Sequence, residues 1–131
     1  MMQDKVGYWL KMADEDVSVA ELLLSGKKYL QAGFFCHLIA EKALKAIIVS
    51  VTAEAPLKIH DLAKLAERGG IYDDLTESQL VYLEELNPLN IEARYPDYKA
   101  SISKILTAEK ATKLFKETEM FLSWIKQRLG K

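Results

Sequence analysis

Three long segments of the chain place apolar residues three and four positions apart, the spacing that puts them on one face of an α-helix. They cover about residues 3–25, about residues 29–52, and the end of the chain from near Thr107. In the first segment the apolar face comprises Val6, Leu10, Ala13, Val17, Ala20 and Leu24. No segment shows the alternating pattern of a β-strand with comparable strength. The sequence therefore predicts an all-α fold in which these three helices supply most of the core.

Two shorter helices are predicted between the second and the last long helix. One covers about residues 61–68, with Asp61 as its N-cap and the glycines at 69–70 as its end. The other begins at Thr76, where TESQ has the form of a capping box, and ends at Asn87-Pro88. For the end of the first long helix, we expect Gly26 to occupy the position just past the last turn. The prediction is three long helices and two short ones.

The stretch 87–106, NPLNIEARYPDYKASISKIL, has no firm secondary-structure signal. An irregular segment of about twenty residues is long for a compact domain, and such segments often carry function. It contains Arg94, flanked by Tyr95 and Tyr98. Arginine binds phosphate with two hydrogen bonds and tyrosine can stack on a base, so these residues are candidates for nucleotide binding. The alternative is that Arg94 holds the segment against the bundle.

Length and charge limit the class of protein. A chain of 131 residues has room for one domain, which we expect to span residues 1–131. With 18 basic and 19 acidic residues the net charge is -1, so any contact with nucleic acid must come from a local patch. The single Cys36 cannot form an internal disulfide, the N-terminus lacks the features of a signal peptide, and no apolar run is long enough to span a membrane. We expect a cytoplasmic protein that does not enter a membrane.

The second predicted helix carries a narrow polar stripe within the apolar sequence GFFCHLIAEKALKAIIVS at residues 33–50. His37, Glu41 and Lys45 lie within about 80° of one another on a helical wheel, and Lys42 lies at the edge of that sector. One interpretation is a solvent-exposed edge with an ordinary i,i+4 pair between Glu41 and Lys45. The other is that the stripe lines a ligand cleft. In both cases we expect substitutions here to leave the fold intact.

His60 directly precedes the predicted N-cap Asp61. It either packs locally at the start of the helix or faces the cleft as a contact for a phosphate or a base. His37 and His60 lack the spacing and the cysteine partners typical of metal sites, so we expect no metal. There is no glycine-rich phosphate loop, nucleophile elbow or cysteine pair, and we predict no catalytic residue and no cofactor.

Three motifs, FFCHLIAEKALKAII, HDLAKLAE and EARYPDY, occur in an order and at spacings that resemble the HEPN family. The resemblance covers nearly the whole chain, and the ordered trio is more specific than any one motif. It implies an antiparallel helical bundle that forms a two-fold dimer, with a polar cleft at or near the dimer interface. It also implies a nucleotide or RNA ligand and, for prokaryotic members of this kind, a nucleotidyltransferase partner, in a toxin–antitoxin pair for some of them.

The HEPN family also contains ribonucleases, marked by an arginine followed after four to six residues by a histidine. Here the first arginine, Arg68, follows both histidines, so this motif is absent at any spacing. The leading hypothesis is therefore a non-catalytic binding module. The residues expected to line its cleft are His37, Glu41, Lys42, Lys45, His60, Arg94, Tyr95 and Tyr98. The alternatives are a divergent ribonuclease that uses Arg94 with His37 or His60, and a purely structural dimer whose cleft binds nothing.

Overall fold

Helices dominate the computed structural model. It describes residues 2–55, 58–92 and 106–131, and it places side chains for residues 5–55, 58–90 and 106–131. The chain folds into α1 (Met2–Ser25), α2 (Tyr29–Thr52), α3 (Leu62–Arg68), α4 (Glu77–Leu86), α5 (Leu89–Glu92) and α6 (Ala108–Arg128), and a single 3₁₀ turn covers Tyr72–Asp74. These ranges contain no strand. The all-α prediction is confirmed, and α1, α2, α3, α4 and α6 correspond to the five predicted helices.

The predicted helix starts are confirmed by their hydrogen bonds. Asp61 and Thr107 each accept a hydrogen bond from the backbone N–H three residues further on, at 3.1 and 3.2 Å. Thr76 and Gln79 complete the capping box, since the Thr76 hydroxyl accepts from the Gln79 N–H at 3.1 Å and the Gln79 side chain accepts from the Thr76 N–H at 2.9 Å. Each contact satisfies an N–H that has no partner inside the helix.

The end of α1 differs in detail from the prediction. Gly26 directly follows the helix, but the residue in the left-handed conformation is Lys27, with a φ of 61°. The N–H groups of Lys28 and Lys27 bond back to the carbonyls of Leu23 and Leu24, at 2.8 and 3.0 Å. This is a Schellman motif, in which the left-handed residue is usually glycine. The glycine here lies one position too early to fill that role.

The stretch after α4 also differs from the prediction. Asn87 and Pro88 end α4, but Asn87 keeps helical dihedral angles (φ -51°, ψ -47°) and the chain enters α5 directly afterwards. The Asn87 side chain accepts a hydrogen bond from the Leu62 N–H at 3.0 Å, which ties this corner to the start of α3. Proline is compatible with the beginning of a helix, so Pro88 both ends α4 and precedes α5. The remainder of the predicted irregular stretch, residues 93–105, lies outside the described residues.

Helix α2 is at the centre of the bundle. Only residues 26–28 connect it to α1, so the two helices pack antiparallel along their lengths, and α6 packs against both of them. The short helices α3, α4 and α5 also contact α2. The larger part of the buried apolar cluster comes from α1, α2 and α6, as predicted. No helix in the described ranges has the length and apolar content needed to cross a membrane.

Candidate functional site

The polar stripe of α2 is buried in the bundle. His37, Glu41 and Lys45 are 0%, 6% and 3% exposed. The interpretation of the stripe as a solvent-exposed edge is therefore wrong. Helix α1 covers the stripe near Lys45, and the segment before α3 covers it near Glu41.

Glu41 is the centre of a cluster of polar side chains. Lys45 Nζ donates a hydrogen bond to Glu41 Oε2 at 2.8 Å, and His60 Nδ1 lies 3.1 Å from the same oxygen. His37 Nδ1 lies 3.5 Å from Glu41 Oε1. The i,i+4 spacing on α2 brings His37 and Lys45 to the two sides of Glu41, whereas His60 arrives from the segment that precedes α3. We refer to His37, Glu41, Lys45 and His60 as the Glu41 cluster.

Helix α1 closes the Glu41 cluster on the side of Lys45. Lys45 Nζ lies 5.6 Å from the centre of the Trp9 ring, within the range of a cation–π interaction. The carboxylate of Glu41 and the face of Trp9 together offset the loss of hydration of the buried ammonium group. Lys45 is thus an internal counter-charge to Glu41. Sequence reasoning missed Trp9, because an aromatic residue on an amphipathic helix gives no signal beyond core packing.

Lys42 does not belong to this cluster. Its Nζ pairs with Asp16 Oδ2 of α1 at 2.5 Å. One residue further along a helix turns a side chain by about 100°, enough to direct Lys42 to α1 when Glu41 points to His60. The structure therefore separates Lys42 from the other three residues of the predicted stripe.

The interior of the Glu41 cluster holds polar atoms without a normal partner. Both ring nitrogens of His37 and Oε1 of Glu41 form no hydrogen bond to any described residue. Such atoms cost about 1–3 kcal/mol each and are uncommon in native cores. By contrast, the buried Tyr82 hydroxyl donates to Thr118 Oγ1 at 2.7 Å. Each buried polar group that is left without a partner calls for an explanation, and a functional role is one such explanation.

Burial lowers the pKa of His37 from its usual 6.5 to about 4, although the Glu41 carboxylate opposes this shift. The neighbouring His60 and Lys45 side chains also lower the pKa of His37. The backbone of His60 lies near the His37 ring and favours its charged form. It forms no hydrogen bond of normal geometry with either nitrogen of that ring. The His37 ring is therefore neutral at pH 7.

His60 connects the buried cluster with the protein surface. Its side chain is 47% exposed and lies in the wall of an open depression of about 670 Å³. The depression is lined by Lys58, Ile59, His60, Asp61, Lys64, Glu67 and Arg68. The Asp61 carboxylate is already engaged in capping α3. The described lining then offers three basic side chains beside His60, with Glu67 as its other acid. Sequence reasoning missed Lys64 and Arg68, although they follow His60 at successive intervals of four residues, a spacing that could have indicated them.

Other parts of the described structure offer less chemistry. Two grooves of about 360 and 370 Å³ lie against α6 and are more enclosed than the depression beside His60. The described residues that line them include none of the Glu41 cluster. Burial raises the pKa of the Cys36 thiol to about 11, which keeps it protonated and unreactive. Among the placed side chains, no group of three or more His, Cys, Asp or Glu residues is arranged to hold a metal ion. The predicted site residues Arg94, Tyr95 and Tyr98 lie outside the described residues.

Comparisons with known proteins agree with the fold and with the predicted family. The crystal structure of TT1696 from Thermus thermophilus superposes with a TM-score of 0.80 at 20% sequence identity, over 94% of this chain and 97% of that one. At this identity the likeness concerns the fold alone. No curated protein sequence matches the chain significantly. The family model for the HEPN domain matches residues 6–129, nearly the entire chain. The chain therefore belongs to the HEPN domain family.

Proposed function

We propose that this chain, as a single domain, is a non-catalytic binding module that holds a nucleotide by its phosphates in the depression beside His60. The observation that supports this most directly is the position of His60. Its ring is half-exposed among Lys58, Lys64 and Arg68, and its other side contacts the buried carboxylate of Glu41.

The contact with Glu41 sets what the His60 ring offers to a ligand. An ionised carboxylate only accepts hydrogen bonds, so the proton of the neutral ring belongs on Nδ1. Nε2 then remains for the ligand, as an acceptor in the neutral ring and as a donor in the charged one. Lys64 and Arg68 line the same depression and add charged N–H donors to it. Hydrogen bonds from such groups to phosphate contribute about 1.5–3 kcal/mol each.

The contacts of the two stripe lysines support this location of the phosphates. Lys45 is buried against Glu41, and Lys42 is paired with Asp16. A ligand would have to break these ion pairs to use either lysine. Lys64 and Arg68 are exposed, and both line the depression. In this proposal Arg94, Tyr95 and Tyr98 retain their predicted role as additional contacts for phosphate and base.

Replacing Lys64 or Arg68 with alanine should weaken the binding of ATP roughly tenfold or more, because each change removes one charge-assisted contact. Isothermal titration calorimetry measures this directly. Lys116→Ala is the matched control, since Lys116 is an exposed lysine on α6 and the described lining of the depression comes from residues 58–68. If both the Lys64→Ala and the Arg68→Ala variants bind ATP as the wild type does, the ligand does not bind in the depression beside His60. An absence of binding to ATP, AMP and short RNA would support the purely structural alternative.

Membership of the HEPN family supports two further parts of the proposal, a homodimer and a nucleotidyltransferase protein as partner, with a toxin–antitoxin pair as the biological setting. Co-purification from the native host, followed by mass spectrometry, tests the partner. Recovery of a nucleotidyltransferase with the wild-type chain is the expected result. Its consistent absence would remove the partner from the proposal without affecting the nucleotide site.

A divergent ribonuclease remains the second candidate, and one contact favours it. A histidine held by a buried carboxylate is well placed for proton transfer, and His60 has such a carboxylate in Glu41. His37 cannot serve in this way, because its ring has no exposed surface to meet RNA. The required arginine would be Arg94, as the sequence suggested.

We expect the purified protein to leave single-stranded RNA and tRNA intact, because the arginine–histidine motif of the ribonuclease branch is absent. Gel analysis after prolonged incubation provides the measurement. His60→Ala protein, purified in parallel, controls for contaminating nucleases. Cleavage by the wild type that is lost in His60→Ala would replace the binding function by the ribonuclease function.

A further inference from the structure

The two ring nitrogens of His60 have different surroundings. Nδ1 lies 3.1 Å from Oε2 of the buried Glu41 carboxylate. The side chain as a whole is half-exposed and borders the open depression with its basic lining. Because Nδ1 is held by Glu41, Nε2 is the ring nitrogen that remains for chemistry in the depression. In the neutral ring with its proton on Nδ1, Nε2 carries a free lone pair.

We propose that Nε2 of His60 accepts a phosphoryl group, and that the phosphohistidine so formed regulates the depression by taking the place of a ligand phosphate. An activated nucleophile is recognised by a second group within hydrogen-bond reach and by a third group that orients the second. For His60 the second group is Glu41. The third is Lys45, which donates a hydrogen bond to the same carboxylate oxygen at 2.8 Å.

The phosphoryl donor that fits this acceptor is a phosphoramidate, in which phosphorus is bonded to a protonated nitrogen. The lone pair of Nε2 forms a new N–P bond, and the N–P bond of the donor breaks. Its electron pair leaves with the donor nitrogen, which departs as a neutral amine. One N–P bond replaces another, so the step requires no further reactant. The proton stays on Nδ1, in its hydrogen bond to Glu41, and the ring gains one positive charge.

The charges around His60 suit this transfer. Glu41 is in place before the reaction and compensates the positive charge that develops on the ring. Lys64 and Arg68 line the depression and supply N–H donors for the oxygens of the phosphoryl group. His37 is the other histidine of the chain, and its ring has no exposed surface. It therefore serves as an internal control for the reaction.

Potassium phosphoramidate at neutral pH is the probe, with intact-mass spectrometry and peptide mapping as the readout. We expect one phosphoryl group per chain, on His60 and not on His37, at a rate roughly tenfold or more above that of N-acetylhistidine. His60→Gln should stay unlabelled, and its fold should be retained because the side chain is half-exposed. Labelling that persists in His60→Gln, or a rate no higher than that of N-acetylhistidine, would overturn the inference.

Glu41 acts through His60 and is a positioning residue, which the double variant Glu41→Leu/Lys45→Met tests. This variant removes both charges and keeps side chains of similar volume. Labelling of His60 should slow roughly tenfold or more. Nitrogen-15 NMR of the neutral His60 ring should show the proton on Nδ1 in the wild type, and this preference should be lost in the double variant. An unchanged rate or an unchanged tautomer in the folded variant would contradict the role of Glu41.

The regulatory part rests on the proposed function, since both place a phosphate beside His60. The phosphorylated protein should bind ATP roughly tenfold or more weakly than the unmodified protein in calorimetry. Equal binding by the two forms would refute the regulation. Labelling of a protein that does not bind ATP would refute the nucleotide function and leave His60 as an acceptor. ATP binding without labelling would refute the acceptor and leave the nucleotide function intact.

Discussion

Replacing Glu41 with alanine is expected to lower the free energy of unfolding by about 3–5 kcal/mol, the usual cost of removing one partner of a buried ion pair. The reason is the ammonium group of Lys45. It is 3% exposed, and its carboxylate partner at 2.8 Å is Glu41. Without that carboxylate, the charge of Lys45 is left in the core, and among the described residues the face of Trp9 is its remaining compensation. Urea denaturation followed by circular dichroism measures the loss.

The double variant Glu41→Leu/Lys45→Met separates the effect of charge from that of packing. It removes both charges and keeps side chains of similar volume, so its cost should be well below that of Glu41→Ala. If Glu41→Ala loses less than about 1 kcal/mol, the pair is not buried as the structure places it. Equal losses in the single and double variants would show that packing, and not an unpaired charge, determines the cost.

Acidification from pH 6.5 to pH 4 should destabilise the protein by about 3 kcal/mol through His37 alone. Burial lowers the pKa of this ring to about 4 in the folded state, from 6.5 for an ordinary histidine. Between these two values the unfolded chain binds a proton that the folded chain does not. The stability is therefore fully present above pH 6.5 and is lost as the pH falls towards 4.

The variant His37→Leu isolates this effect, because it keeps an apolar side chain of moderate size and removes the titrating group. Urea denaturation at pH 7.5 and pH 4.5 should show a smaller loss for His37→Leu than for the wild type. Acidic side chains elsewhere contribute to both proteins and cancel in the difference. The same pH dependence in both would mean that His37 is solvated or charged in the folded state.

The accuracy of the sequence-based predictions depended on how local the responsible interactions are. The starts of α3, α4 and α6 were predicted because each depends on a side chain and a backbone N–H three residues apart. The grouping of His37, Glu41 and Lys45 followed in the same way from the helical repeat. A helical wheel shows which residues share a face, but it does not show what covers that face.

The burial of the Glu41 cluster depends on contacts between distant parts of the chain. His60 meets Glu41 across 19 residues, and Lys42 meets Asp16 across 26. No local pattern indicates either pairing. The expectation that the stripe residues contribute little to stability is at odds with the structure for this reason. Lys45 is the counter-charge of Glu41 through a local i,i+4 contact, and Lys42 is paired with the distant Asp16. The exposed Lys64 and Arg68 are therefore the candidates for binding phosphate.

The two histidines allow the most direct test of the proposed site. The chain contains no others, so proton NMR resolves the ring signals of His37 and His60 without competing residues. Titration with ATP should shift the His60 signals in a saturable way, while those of the buried His37 move much less. In the double variant Lys64→Ala/Arg68→Ala, saturation should require a far higher ATP concentration. His60 signals that stay unchanged at millimolar ATP, or that shift identically in the double variant, would contradict a phosphate site beside His60.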